Sequence, residues 1–361
     1  MIFMPENVGT LDTLQKRQKP LGGGGYVSGR IQFTHPYEDI ISVENLLAAW
    51  REFVRGKRTK KDVQEFQYTL MDNILALHRD LANGTYKHGG YQAFKISDPK
   101  PRDIHKASVR DRLFHHALYR QLCTFFDRTF IADSYSCRKG KGTHRAMNRF
   151  RQFAYKVSQN HTRTCWVLKC DIRKFFASID QQILLNILAR YIPDPRILAL
   201  IAEVVNSFRS SVSMSRRRLD MRKGLPLGNL TSQLLVNIYM NEFDQFVKHK
   251  LKATYYVRYA DDFVLLSHDK HLLECLLPYM VGFLRDVLKL EMHPGKVSIT
   301  TFASGVDFLG WVHFPDHRVL RTSTKRRMLA RTADTENEDT LNSYLGLLRH
   351  GNATKLARAI T

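Results

Sequence analysis

The stretch at 254–267, TYYVRYADDFVLLS, constrains this chain most. Apolar and aromatic residues flank Asp261-Asp262, so the pattern predicts two strands around a tight turn that carries both carboxylates. Acidic residues are common in surface turns. Here, however, Tyr255, Tyr256, Val257, Tyr259, Phe263, Val264, Leu265 and Leu266 make strands that should be buried. Carboxylates fixed beside a low-dielectric core are costly unless something pairs with them. A divalent cation removes that cost, and Mg²⁺ takes one or two carboxylates, with waters and substrate phosphates completing its shell. A further carboxylate, Asp171, ends CWVLKCD at 165–171, predicted as a buried strand. Asp171 and Asp261 on neighbouring strands would supply ligands for two cations about 3.5–4 Å apart, the arrangement that clamps both reacting oxygens of a phosphoryl transfer.

Charge points the same way. Lys and Arg number 56 against 34 Asp and Glu, a formal net charge of +22. Such a field attracts polyanions, nucleic acid first. An anionic membrane surface is the weaker reading, because no basic amphipathic anchor stands out. With 43% hydrophobic and 25% charged residues among 361, the chain is expected to be globular rather than wholly disordered. No apolar run reaches membrane-spanning length. The first twenty residues lack a signal-peptide core, so a cytoplasmic protein is expected. Five cysteines, Cys123, Cys137, Cys165, Cys170 and Cys275, form no CxxC pair, which predicts free thiols rather than zinc ligands or disulfides.

Along the chain, 1–39 reads as a flexible tail containing the glycine run 22–25, and 40–90 as a helical extension with Ser42 and Asn45 giving a loose N-cap signal. Turns and short strands are expected through NGTYKHGGYQAFKISDPKPR. Helices follow at about 108–130, from Thr143, at 180–208, 229–252 and 270–288. Residues 209–223 read as a charged loop or ribbon, and short strands run through 296–320. A basic helix and a polar tail close the sequence.

These residues together resemble a reverse transcriptase over roughly 40 to 350. Tyr259-Ala260-Asp261-Asp262 is similar to the YxDD box, and Asp171 with Phe175 and Phe176 to the first palm aspartate box. Gly224-Leu225-Pro226-Leu227-Gly228-Asn229-Leu230-Thr231-Ser232-Gln233, running into Asn237, Tyr239 and Asp244, resembles the box under the template and nascent pair. His293-Pro294-Gly295-Lys296 resembles the next palm segment, and Phe308-Leu309-Gly310-Trp311 the primer grip. Lys100-Pro101-Arg102 with Arg110-Asp111-Arg112, then Ser136-Cys137-Arg138 with Lys139 and Lys141, resemble two fingers boxes. These boxes, taken together in the family's order, make the resemblance specific.

The resemblance implies an α+β right-hand polymerase fold: fingers at 91–165 with an insertion at about 180–223, palm at 166–315, and a short basic thumb at 316–361. It implies RNA-templated DNA synthesis from deoxynucleoside triphosphates (dNTPs) with two Mg²⁺, Mn²⁺ able to substitute. The implied metal set is Asp171, Ile172, Asp261 and Asp262. Lys296 is the candidate proton donor to pyrophosphate. Lys100, Arg102, Arg138, Lys139 and Lys141 are expected at the triphosphate. Phe175, Phe176, Leu227 and Gly228 are expected around the nucleotide, with Phe176 excluding a 2′-hydroxyl. Asn229, Ser232, Gln233, Tyr259, Phe308, Leu309, Gly310 and Trp311 are expected at the template–primer. Arg318, Arg321, Lys325, Arg326 and Arg327 would grip its phosphates. Leu227 departs from the glutamine common in the family. That variant resembles polymerases of diversity-generating retroelements and of antiphage defence, and the lost polar contact predicts low fidelity. Expected partners are an RNA template, a DNA or RNA primer, and a structured noncoding RNA, accessory protein or second copy to offset the short thumb. Two other readings remain open: template-independent or protein-primed synthesis at the same site, and an RNA-binding scaffold that keeps only the fold.

Overall fold

Local signals set the helices, and prolines and glycines divide them. The computed structural model describes residues 31–97, 101–212, 223–333 and 338–360. Helices α1 (Tyr37–Ile41), α2 (Val43–Phe53), α3 (Lys61–Tyr68) and α4 (Leu70–Ala82) come first. The Ser42 hydroxyl accepts the Asn45 N–H at 3.1 Å and caps α2. The expected flexible tail ends sooner than 39, because Phe33 and Tyr37 are buried and α1 already begins within it. Hairpin β1 (Gln92–Ile96) and β2 (Arg102–Lys106) leads to α5 (Val109–Phe126) and α6 (Thr143–Val157).

Strand β3 (Trp166–Asp171) is followed by a single turn, α7 (Phe175–Ser178), then α8 (Gln181–Ala189) and α9 (Pro195–Val212). The helical stretch expected at 180–208 is therefore two helices. Pro193 and Pro195 divide it, since proline restricts the residue before it and is best placed at a helix's first turn. Helix α10 (Leu230–Gln245) runs on into a π-helical turn at Phe246–Lys250. Then come β4 (Tyr256–Tyr259), β5 (Asp262–Ser267), α11 (Lys270–Asp286), β6 (Ser298–Thr301), β7 (Val306–Phe308), β8 (Trp311–His313) and β9 (Arg318–Leu320). Helices α12 (Thr322–Ala333), α13 (Glu338–Leu348) and α14 (Thr354–Arg358) finish the described chain.

The central sheet has the antiparallel order β4-β5-β3-β6. Both of its faces are covered, which is why its strands read as unbroken apolar runs. Leu168, Cys170, Phe263 and Leu265 face the main core with α10 and α11. Val167, Val257, Val264 and Leu266 alternate to the other face and pack on Phe150, Phe153 and Ala154 of α6. A second sheet, β7-β8-β9, carries Trp311 and Leu320 onto Met328 of α12 and Leu348 of α13. The mixed helices and antiparallel sheets make the fold α+β, and Phe33–Thr361 is one compact unit. Among the described residues no helix is long and apolar enough to cross a membrane, and all five cysteines are free.

Gly351 lies against the indole of Trp311, where any Cβ would overlap the ring. Overfilling such a contact costs about 1–3 kcal/mol. Gly351→Ala is therefore expected to loosen the packing of 338–358. Hydrogen exchange should show faster amide exchange there, with β3 and β5 unchanged; uniform exchange across both regions would contradict this packing.

Candidate active site

Antiparallel register brings the carboxylates together. Asp171, last in β3, is the direct partner of Asp262, first in β5. Like charges directly opposite one another destabilise a sheet. Asp261 sits beside them in the two-residue turn that joins Tyr259 to Asp262. The first residue of that turn, Ala260, has φ +54°. The Ile172 N–H donates to the Asp261 carbonyl at 3.3 Å, tying the turn to the end of β3.

The electrostatics follow from this crowding. Burial pushes the Asp262 carboxyl up to about 7, with repulsion from Asp171, Asp261 and Asp307 adding to it and Lys169 opposing it. Burial also raises Asp261, and Asp171 adds to the rise, against its own backbone N–H, Lys296 and Arg102. Asp262 Oδ1 is buried with no hydrogen-bond partner. An unsatisfied acceptor beside two other carboxylates is a setting that a divalent cation relieves. Among the described residues no three His, Cys, Asp or Glu side chains gather closely enough to cage a metal unaided. The set instead suits an ion like Mg²⁺, which needs one or two carboxylates and takes its other ligands from water and phosphate.

Lys296 arrives from the other side. Segment 291–293 runs beside the end of β3, with the Arg173 N–H donating to the Glu291 carbonyl and the His293 N–H to the Asp171 carbonyl. The short 3₁₀ turn Pro294–Lys296 then swings the ammonium onto Asp171, 2.9 Å from each carboxylate oxygen. Lys296, expected as the proton donor to pyrophosphate, here pairs with both oxygens of Asp171.

Several other expected contacts are redirected. Arg138 was expected at the triphosphate, but its side chain is nearly buried and its donors go to Asp127, Ile131 and Ser134. Lys141 donates to the Ala132 carbonyl at 2.7 Å, while Lys139 is exposed. Lys100 lies outside the described residues, as do Arg216, Arg217, Arg218 and Arg222 of the charged segment. Arg102 is exposed on β2, and its positive charge opposes the rise of the Asp261 carboxyl.

Gly228 was expected to let the backbone approach a nucleotide. It needs its φ of +103°, but the space a Cβ would enter is taken by Ile104 of β2, 3.0 Å away. The Leu227 carbonyl accepts the His105 N–H at 3.1 Å, and Asn229 donates to the His105 carbonyl at 3.3 Å. Hairpin β1–β2 therefore lies on the 227–229 loop. Asn229 and Ser232 are buried rather than open to a duplex, while Gln233 is half-buried. Phe175 is core, and Phe176, packed edge-on against it at 5.6 Å, is half-buried.

The Tyr259 hydroxyl accepts from Thr143 of α6. Phe308 and Trp311 are buried, so only Leu309 and Gly310, both at positive φ, present the turn expected to grip a primer. Arg318 donates to the His350 carbonyl and to Asn148, and Arg321 pairs with Asp307. Both are braces of the C-terminal segment, leaving Lys325 and Arg326 exposed on α12. Sequence reading missed Lys169, Asp307 and Arg258. The available signal was a charge inside an otherwise apolar strand.

Because the folded value for Asp262 lies above the unfolded one of about 3.9, its contribution to stability is fully present at low pH. That contribution is lost as pH rises from about 4 through 7. In metal-free protein, Asp262→Asn should melt above wild type at pH 8, and the gap should close toward pH 4. Melting curves in chelator test this, and a gap independent of pH contradicts it.

Comparison with known proteins places the chain's sequence in one family. A family profile described as reverse transcriptase (RNA-dependent DNA polymerase) matches residues 95–313. Protein YkfC of Escherichia coli K12 is 24% identical over 296 residues, covering 71% of this chain and 75% of that protein. The group II intron-encoded protein LtrA of Lactococcus lactis subsp. cremoris is 22% identical over 321 residues, 71% of this chain and 51% of LtrA. An uncharacterized 91 kDa protein in a cob intron of Schizosaccharomyces pombe is 27% identical over 148 residues, 41% of this chain and 17% of that protein. The chain thus spans about half of LtrA and less than a fifth of the fungal protein.

Proposed function

The chain belongs to the reverse transcriptase family, whose members are RNA-directed DNA polymerases, and from that premise we propose that it copies RNA into DNA from dNTPs at Asp171, Asp261 and Asp262. The observation that carries this reading is the pairing of Asp171 with Asp262, and Asp261 beside them, inside the matched residues 95–313. Asp171, Asp261 and Asp262, with Ile172 just after β3, would hold two Mg²⁺, or Mn²⁺ in their place. When bound, such ions supply charge neutralisation at the attacking and leaving oxygens.

The chain's own residues do the rest. The β3–β5 register fixes the carboxylates before substrate arrives, so no reorganisation is needed when charge develops. Arg102, whose charge acts on Asp261, neutralises the incoming triphosphate, with Lys139 and Lys100 as further cations. Half-buried Phe176 is the side chain proposed to collide with a 2′-hydroxyl and so favour dNTPs. Leu309, Gly310, Lys325 and Arg326 are proposed to follow the template–primer, the lysine and arginine through phosphates. In these terms β1–β2 belongs to the fingers, the β4-β5-β3-β6 sheet to the palm, and α12 onward to the thumb.

For the biological setting, Leu227 supports a diversity-generating cassette or an antiphage system, whereas LtrA is by its name an intron-encoded protein. A variable target gene with a template repeat beside this gene supports the first. An adjoining effector gene supports the second, and flanking intron sequence contradicts both.

Primer extension tests the activity. Wild type with Mg²⁺, dNTPs and a primed RNA should extend the primer, and Asp261→Ala should lose at least about a thousandfold in rate, as when a core part of a charge-stabilising site is removed. Product made without template, or attached to the protein, would favour the template-independent or protein-primed mechanism. Phe176→Ala should raise ribonucleotide incorporation at least about tenfold relative to dNTP, the scale of one lost steric contact. An unchanged ratio would remove Phe176 from sugar selection. Equal misincorporation by wild type and Leu227→Gln would contradict low fidelity.

A further inference from the structure

The turn that displays Asp261 is held from within by a buried cation. Arg258 of β4 is fully buried. Its Nε and Nη2 donate to the two oxygens of Asp244, at 2.7 and 2.6 Å. Its remaining bonds go to Asn237 Oδ1 at 3.2 Å, Ser134 Oγ at 3.2 Å and the Ala260 carbonyl at 3.0 Å. All five N–H donors of the guanidinium are thereby used. Asp244 is also fully buried and accepts the Tyr256 hydroxyl at 2.7 Å.

A buried ion pair is weak evidence for stability alone, since apolar residues of similar volume often replace one without loss. What apolar residues cannot replace is the bond to Ala260. That residue sits at φ +54°, a conformation that costs a non-glycine residue roughly 1–2 kcal/mol. In a two-residue turn with positive φ only at its first position, glycine is the usual occupant. Its carbonyl points inward onto Arg258, and the next carbonyl, of Asp261, accepts the Ile172 N–H. Both peptide groups of the turn are thus pinned, one by a side chain and one by the neighbouring strand.

We propose that Arg258, locked by Asp244, is a positioning residue: by fixing the Ala260 carbonyl it sets the direction in which Asp261 faces Asp171. The proposal rests on Asp171 and Asp261 being the catalytic carboxylates, as argued above. Arg258 touches no substrate and acts only through the turn. Asn237 and Ser134 orient the guanidinium plane. The Arg258 backbone is held too, its N–H donating to the Asp133 carbonyl and its carbonyl accepting the Tyr135 N–H.

Two variants test this. Arg258→Lys keeps the charge opposite Asp244 but lacks the planar fork. The double variant Arg258→Gln with Asp244→Asn removes both charges together, so no uncompensated ion is left in the core. Both are expected to keep a cooperative melt and to bind primed RNA as wild type does. In both, kcat should fall about a hundredfold, the cost of misplacing a reacting group by about 1 Å, with KM for dNTP within about twofold. Without substrate, Mn²⁺ binding followed by electron paramagnetic resonance should weaken at least about tenfold in the double variant, as when outer supports of a metal site are lost. Wild-type kcat and Mn²⁺ affinity in a folded double variant would overturn the positioning role and leave the polymerase reading intact. Absence of templated extension by wild type itself would instead overturn that reading.

Discussion

Three carboxylates crowded at one end of a buried sheet are the constraint around which this molecule is organised. Asp171 faces Asp262 across β3 and β5, and Asp261 stands next to them in the turn. Sheet pairing normally selects against like charges in direct opposition. The arrangement persists because the strands are pinned by apolar contacts on both faces, with Leu168 and Phe263 on one side and Val167 and Val264 on the other. Those contacts fix the register, and slipping by one residue would exchange the two faces. The hydrophobic core thus stabilises a sheet that ends in mutual repulsion, the form of stored strain expected at a functional site.

Cations surround the cluster, but each does something different. Lys296 meets Asp171 directly, Lys169 offsets the charge of Asp262 while donating to the Asp307 carbonyl, and Arg102 acts on Asp261 from a separate hairpin. Arg258 never meets the three carboxylates; its charge is spent on Asp244 inside the core, and only its fork geometry reaches the turn. The net charge of +22 therefore divides by location. Arg138, Arg258, Arg318 and Arg321 brace the fold. Lys139, Lys325 and Arg326 stay on the surface, where a polyanion can meet them.

Much of this was legible in the residues. The hairpin at 254–267, the strand ending at Asp171 and the cap at Ser42 all follow from short-range pattern, and the structure has each of them. The family's boxes gave the correct chemical class. The arginines were harder to read. A guanidinium that ends in solvent and one that ends on backbone carbonyls look alike in sequence, because the difference lies in which loops fold over it. Gly228 shows the same limit. Its need for positive φ could be guessed, but whether a nucleotide or Ile104 would fill the space beside it depended on where hairpin β1–β2 came to rest.

By itself the sequence determined which residue types were available and where strands, turns and helices would form, since hydrophobic period, proline placement and turn chemistry act over a few neighbours. It also determined the acidic pair and its apolar flanks, and with them the need for a cation. Tertiary structure alone decided that Asp171 would stand opposite Asp262 and Lys296 against Asp171. It alone decided that Arg258 would turn inward to the Ala260 carbonyl. Those pairings join residues far apart in the chain, and only the packing of whole elements against one another sets the distances on which electrostatics and hydrogen bonds depend.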